Sequence, residues 1–164
     1  VRVVSVHSFR GGTGKSNLTA NVAVQLAQHG QRVGVVDTDI QSPGIHVLFG
    51  LAGSQISLAL NDHLFADKPI SEVTYDVTPD GVRGSVHLVP SSVRPGEISR
   101  VLRDGYDAQR LVQGMRRLVD DLRLDTLLID THPGLGEETL LALVISDTVL
   151  MVLRPDQQDS MAST

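Results

Sequence analysis

The sequence predicts an α/β domain whose mainly parallel sheet is covered by helices on both faces. Three observations carry that prediction. Short β-branched apolar runs alternate with segments of helical apolar spacing, a glycine-rich turn joins the first run to the first helix, and two of the runs end in Asp. Strands that alternate with helices pair in parallel through crossover connections, and a sheet built that way is buried on both faces.

Residues 1–8 (VRVVSVHS) are β-branched and mostly apolar, as in a strand buried on both faces. The spacing predicts a helix over 16–29, with Leu18, Val22 and Leu26 on one face, Ala23 and Ala27 beside them and Gly30 at the stop. Residues 32–37 (RVGVVD) form a second strand, so the first forty residues make one βαβ unit with a right-handed crossover. Further on, 56–65 suits one short helix, 69–84 a loop or small hairpin, 86–89 a strand stopped by Pro90, and 97–103 a helical turn broken at Gly105. The clearest helix spans 107–123. Ala108, Leu111, Val112, Met115, Leu118, Val119 and Leu122 make its apolar stripe, and Asp107 is its N-cap. Two more buried strands, 126–130 and 148–153, are joined by a helix over 137–146.

A length of 164 residues suits one domain, and 41% apolar with 20% charged residues is ordinary for a globular chain. Aromatics are only 3%, so the core has to be aliphatic, and the absence of Cys excludes a disulfide framework or a thiolate metal site in this segment. The net charge of −5 argues against nucleic-acid binding by the segment as a whole. No apolar run nears the roughly 18–20 residues of a membrane span, and no signal peptide opens the chain; a cytoplasmic location is expected. Val1 enters a strand directly, and residues 157–164 read as the start of a new element. The expectation is therefore a trimmed piece of a longer protein whose C-terminal part is missing.

Gly11-Gly12-Thr13-Gly14-Lys15-Ser16 matches the end of the G-x-x-x-x-G-K-[ST] phosphate-loop pattern, but residue 9, where the first glycine belongs, is Phe9. The run is a variant, led by Arg10. Its physics is that of a phosphate cradle: glycines let successive N–H groups turn inward, and the helix N-terminus behind them, with Asn17 in its first turn, adds partial positive charge. Lys15 can reach the β and γ phosphates and the Ser16 hydroxyl can bind Mg²⁺, which points to ATP and Mg²⁺ as ligands.

An Asp at the carboxyl end of a parallel strand faces the ligand crevice. The chain has two such places, Val35-Val36-Asp37-Thr38-Asp39 and Leu127-Leu128-Ile129-Asp130, the latter followed by Thr131-His132-Pro133-Gly134. The second has the Walker B form, with Asp130 placed to hold Mg²⁺ and Gly134 freeing the next loop to sense the γ-phosphate. Asp37 is read as a further support of the Mg²⁺ shell. His132 could serve as a base but is better read as a polar loop residue, because positioning outweighs base strength in this chemistry. The other histidines (His7, His29, His46, His63, His87) show no metal spacing and are read as scattered polar residues.

With these motifs in order along essentially the whole chain, the sequence resembles the MinD/ParA family of deviant Walker A ATPases, P-loop NTPases of the SIMIBI type, and in particular its MinD-like branch. The resemblance implies ATP hydrolysis with Mg²⁺ and a nucleotide-sandwich homodimer. It sets Arg10 where the family has a signature lysine that crosses to the partner's phosphates; arginine keeps the charge but has a different shape. It makes Asp39 the residue that orients the attacking water, and it puts Pro155 and Asp156 near the nucleotide base. It implies an activating protein partner, and attachment to a membrane surface or DNA through parts beyond this segment, with the protein then peripheral at the inner face of the membrane. Positioning or partitioning of a septum site, chromosome, plasmid or large structure is the function so implied. Two other readings share the motifs: a metabolic ligase of the cobyrinic acid diamide synthase or dethiobiotin synthetase type, and a scaffold that binds nucleotide but barely turns it over. No polar cluster marks a pocket for a small co-substrate, which favours the switch over the ligase.

Overall fold

The computed structural model describes residues 1–154, the side chains of 137 and 138 excepted. Six strands form one sheet in the order β3-β4-β2-β5-β1-β6. They are β1 (Arg2–His7), β2 (Arg32–Asp37), β3 (Tyr75–Asp76), β4 (Ser85–Val89), β5 (Thr126–Asp130) and β6 (Thr148–Met151). All neighbours pair in parallel except the two-residue β3, which runs antiparallel to β4. The helices are α1 (Lys15–Gln28), α2 (Ile45–Leu48), α3 (Leu60–Phe65), α4 (Pro95–Asp104), α5 (Ala108–Leu122) and α6 (Glu137–Val144). The mainly parallel α/β class expected from the sequence is the fold of the chain.

The period of two in a strand sorts side chains between two cores. Val33 and Val35 of β2 and Leu128 of β5 pack with Ala20, Ala23 and Ala27 of α1. Val36 of β2 and Leu127 and Ile129 of β5 point the other way, to Leu111, Met115 and Leu118 of α5 and Leu60 and Leu64 of α3. Both cores are almost wholly aliphatic. The α5 stripe buries as its spacing requires, and Asp107 caps the helix by accepting from the Gln109 N–H at 2.8 Å. Gly30, at φ 89, ends α1 in the left-handed region that glycine enters without steric cost.

Four expectations are corrected. Helix α1 buries Ala20, Ala23 and Ala27, with Val22 and Leu26 packed partly against the same core as expected, but Leu18 is 39% exposed. The helix expected over 56–65 is shorter: residues 56–59 are not helical and α3 begins at Leu60. The turn expected over 97–103 is the ten-residue α4, opened by Pro95, whose fixed φ suits a first helical position. Among the described residues β6 is not buried: it stands last in the strand order, beside β1, with Val149 and Met151 exposed. Among the described residues no helix is long and apolar enough to cross a membrane.

Candidate functional site

Parallel pairing brings the carboxyl ends of β1, β5 and β2 side by side, with Val6 opposite Asp130 and Asp37 opposite Asp130 in register. The glycine loop leaves the end of β1 and returns into α1, so Lys15, Ser16, Asp37, Asp39 and Asp130 gather at this one edge. Gly12 and Gly14 hold φ of 71° and 92°, which a side-chain-bearing residue enters only with strain. Gly14 is the N-cap of α1. No side chain caps that helix and no acidic residue sits in its first turn, so the N–H groups of Lys15, Ser16 and Asn17 present a positive helix end to an anion.

Asp130 is the centre of the site. It accepts from Lys15 Nζ at 2.7 Å and Thr19 Oγ1 at 3.2 Å on one oxygen, and from the Ser16 hydroxyl at 2.7 Å on the other. Lys15 and Asp130 are both buried, so the pair excludes water and compensates its own charge. Asp37 lies beside it, 1% exposed. Burial first, and then the Asp130 charge, push the Asp37 carboxyl well above the ordinary carboxylate range; the Asp39 N–H bonded to its Oδ1 opposes this. Its Oδ2 is buried with no hydrogen-bond partner, as is the Thr13 hydroxyl in the loop.

This donor set fits a hard cation. Asp37, Asp130 and Ser16 offer only oxygens, and the unpartnered Asp37 Oδ2 is an acceptor whose charge a cation would stabilise. Among the described residues no group of three or more His, Cys, Asp or Glu could cage a metal. The ion that fits must complete its shell with phosphate and water, the habit of Mg²⁺.

Two contacts went unread in the sequence. His132, taken there for a polar loop residue, places Nδ1 2.7 Å from Asp39 Oδ1. His7, taken for a scattered polar residue, is fully buried at the end of β1, with Nδ1 2.8 Å from the Thr131 hydroxyl. Burial, then Lys15, then His132 hold the His7 imidazole below its ordinary value. Apolar–polar alternation in β1 could have flagged His7; nothing local could have paired His132 with a residue 93 positions away. Arg154, just after β6, donates to the Gly12 carbonyl at 2.5 Å and so reaches back over the loop. Arg10 is exposed at the loop's leading end. Pro155 and Asp156 lie outside the described residues.

A sheet with a glycine-rich loop after β1, a lysine at the next helix start and an Asp ending the adjacent strand defines a P-loop nucleotide-binding protein. A family model described as an AAA domain matches residues 1–162. An ATP-binding protein of Methanocaldococcus jannaschii is 31% identical over 153 residues, 93% of this chain and 53% of that protein. The flagellum site-determining protein YlxH of Helicobacter pylori is 30% identical over 162 residues, 94% of this chain and 49% of that protein. An iron–sulfur cluster carrier protein of Pyrococcus abyssi is 28% identical over 161 residues, 94% and 52%. Among solved structures, the septum site-determining protein MinD of Pyrococcus horikoshii, complexed with Mg-ADP, superposes with a TM-score of 0.80 at 24% identity, over 98% of this chain and 60% of that one. A cobyrinic acid a,c-diamide synthase of Mycobacterium smegmatis shares the fold at 0.78 and 23% identity, over 99% and 66%. This chain belongs to the MinD/ParA family of P-loop ATPases. It spans about half the length of the curated relatives it matches.

Proposed function

We propose that this protein is an ATP-hydrolysing, dimerisation-controlled switch that positions or partitions a cellular structure, and that residues 1–164 are its single P-loop domain. The observation that supports this best is the buried Lys15–Asp130–Ser16 constellation behind a glycine cradle, led by the exposed cation Arg10. In this reading the N–H groups from Gly11 to Asn17 bind the phosphates, and Lys15 turns from Asp130 toward the β and γ phosphates of ATP. Ser16, Asp130 and Asp37 hold Mg²⁺, which when bound offsets charge on the phosphate oxygens. Asp39 orients the attacking water. Arg10 reaches the phosphates of the second copy in the dimer, a contact of the arginine-finger kind, worth about 10³–10⁵ in rate. Pro155 and Asp156 lie by the base.

Positioning is favoured because relatives in two cellular settings, YlxH and MinD, are named for determining a site. A protein partner would stimulate hydrolysis and so time disassembly, and no small-molecule co-substrate is needed. The protein would act in the cytoplasm, peripheral at the inner membrane face or on DNA through segments other than this one.

The test is the size and phosphate release of the intact protein with Mg²⁺ and ATP or ADP, for wild type and Asp39→Ala. The expected result is an ATP-dependent dimer that the substitution traps by slowing hydrolysis. A monomer that hydrolyses ATP regardless would overturn the reading. Turnover that requires a small carboxylate or amine would instead identify a ligase, and tight ATP binding without turnover a scaffold.

A further inference from the structure

The geometry points to His132 as a positioning residue for ATP hydrolysis, one that aims the Asp39 carboxylate by holding it across the two loops that face the γ-phosphate; this rests on the hydrolytic reading above. Asp39 sits two residues beyond β2, and His132 two residues beyond β5. Because a carboxylate only accepts, the 2.7 Å contact requires His132 Nδ1 to donate to Asp39 Oδ1. The Ser42 N–H reaches the same oxygen at 3.3 Å, and the Asp39 N–H donates to Asp37 Oδ1 at 3.0 Å. Among the described residues no hydrogen bond reaches Oδ2. Both bonds to the side chain thus fall on one oxygen, which limits rotation of the carboxylate.

His132 is itself held. Its carbonyl accepts from the Thr139 hydroxyl at 3.1 Å, and Thr139, on α6, is 1% exposed. Gly134, two residues on, donates its N–H to the Ser8 carbonyl at 3.1 Å, tying the same loop to the entrance of the glycine loop. The imidazole is therefore carried on backbone anchored at α6 and β1 while its ring reaches to the β2 loop. A surface histidine seeking only solvation needs none of this. Asp39 is 9% exposed, so losing its donor leaves a nearly buried carboxylate oxygen under-bonded and free to rotate.

The experiment compares wild type, His132→Ala, His132→Asn, Asp39→Ala and the His132→Ala/Asp39→Ala double variant of the intact protein. Kinetics of ATP turnover, affinity for a fluorescent ADP analogue, and hydrogen exchange of residues 38–42 without nucleotide are read for each. Asn can place its amide N–H where His places Nδ1. His132→Ala is expected to lower kcat about tenfold with KM and analogue affinity within about twofold, and to speed exchange across 38–42. His132→Asn restores most of both, and the double variant is no slower than Asp39→Ala alone. If Ala and Asn behave as wild type, or both fall equally in kcat and affinity, the assignment is overturned. If wild type itself does not turn over ATP, the hydrolytic reading fails. Exchange then decides the contact: faster with Ala but not Asn upholds the tether, and unchanged exchange removes it.

Discussion

Replacing Asp130 by Ala leaves the 6%-exposed Lys15 ammonium without its partner and the Ser16 hydroxyl without its acceptor, while Thr19 keeps its bond to the Lys15 carbonyl. Breaking one side of a buried pair costs about 3–5 kcal/mol, so urea denaturation of Asp130→Ala is expected to show a loss of that order, with binding of an Mg–ADP analogue lost as well. Asp37 has the opposite sign. Its folded-state value is raised, so the fold keeps a proton that the unfolded chain has released. That contribution to stability is lost as pH rises from the ordinary Asp value through the raised one. Asp37→Asn removes the need to bury a charge or to take up a proton there. In the absence of Mg²⁺ it is expected to raise Tm near neutral pH by about 2–4 °C for each kcal/mol recovered, measured by calorimetry; an unchanged Tm would show that the carboxyl is solvated. The structure brings Asp37, Asp39, Asp130, Lys15 and Ser16, which the sequence singled out, to one edge of the sheet, because each lies at or just beyond a strand end or at a helix start. The His132–Asp39 contact was illegible, since it joins two loops that only the sheet order brings together.

Helix α5 shows how an element can contradict its own local preference. Gly114 interrupts a good helical stripe, and alanine there would gain roughly 1 kcal/mol of helix propensity. A Cβ at that position would, however, lie 2.4 Å from His63 Nε2. That ring is 5% exposed and its Nδ1 bonds the Lys68 carbonyl at 2.7 Å, so it has little room to yield. Gly114→Ala is therefore expected to destabilise by about 1–3 kcal/mol in urea; a gain would mean that α3 and α5 slide apart at no cost. On the same helix, Leu118 is 1% exposed in the larger core, and Leu118→Ala should cost about 2–5 kcal/mol. The apolar stripe of α5 was legible because its period is local. The buried face of α1 was legible only in part, because alanines fill the narrow space against the sheet and Leu18 is left on the exposed side.

Across the whole molecule, two buried histidines make the fold sensitive to acid. Burial lowers both His7 and His46 below 6.5, and neither buried ring has a full set of partners: His7 Nε2 and His46 Nδ1 are unbonded. As pH falls through 6.5 the unfolded chain takes up protons that the folded chain refuses, so stability present above that value is lost below it. In the Asp37→Asn variant, which lacks the opposing carboxyl, the Tm is expected to fall between pH 7 and 5, and adding His46→Leu, remote from the phosphate loop, should flatten part of that profile. A flat profile for Asp37→Asn alone would show that both rings accept protons in place.

By itself, the sequence determined the alternation of strands and helices, the aliphatic composition of the core, the phosphate loop with Arg10 in its variant position, and the carboxylates at strand ends. These rest on periods of two and 3.6 and on backbone demands that a few residues reveal. Only the tertiary structure decided that β5 lies between β1 and β2, which puts Asp130 against both Lys15 and Asp37. It also decided that alanines make the fully buried face of α1 and that His132 bonds Asp39. Each of these depends on distances between residues far apart in the chain, which no local pattern encodes.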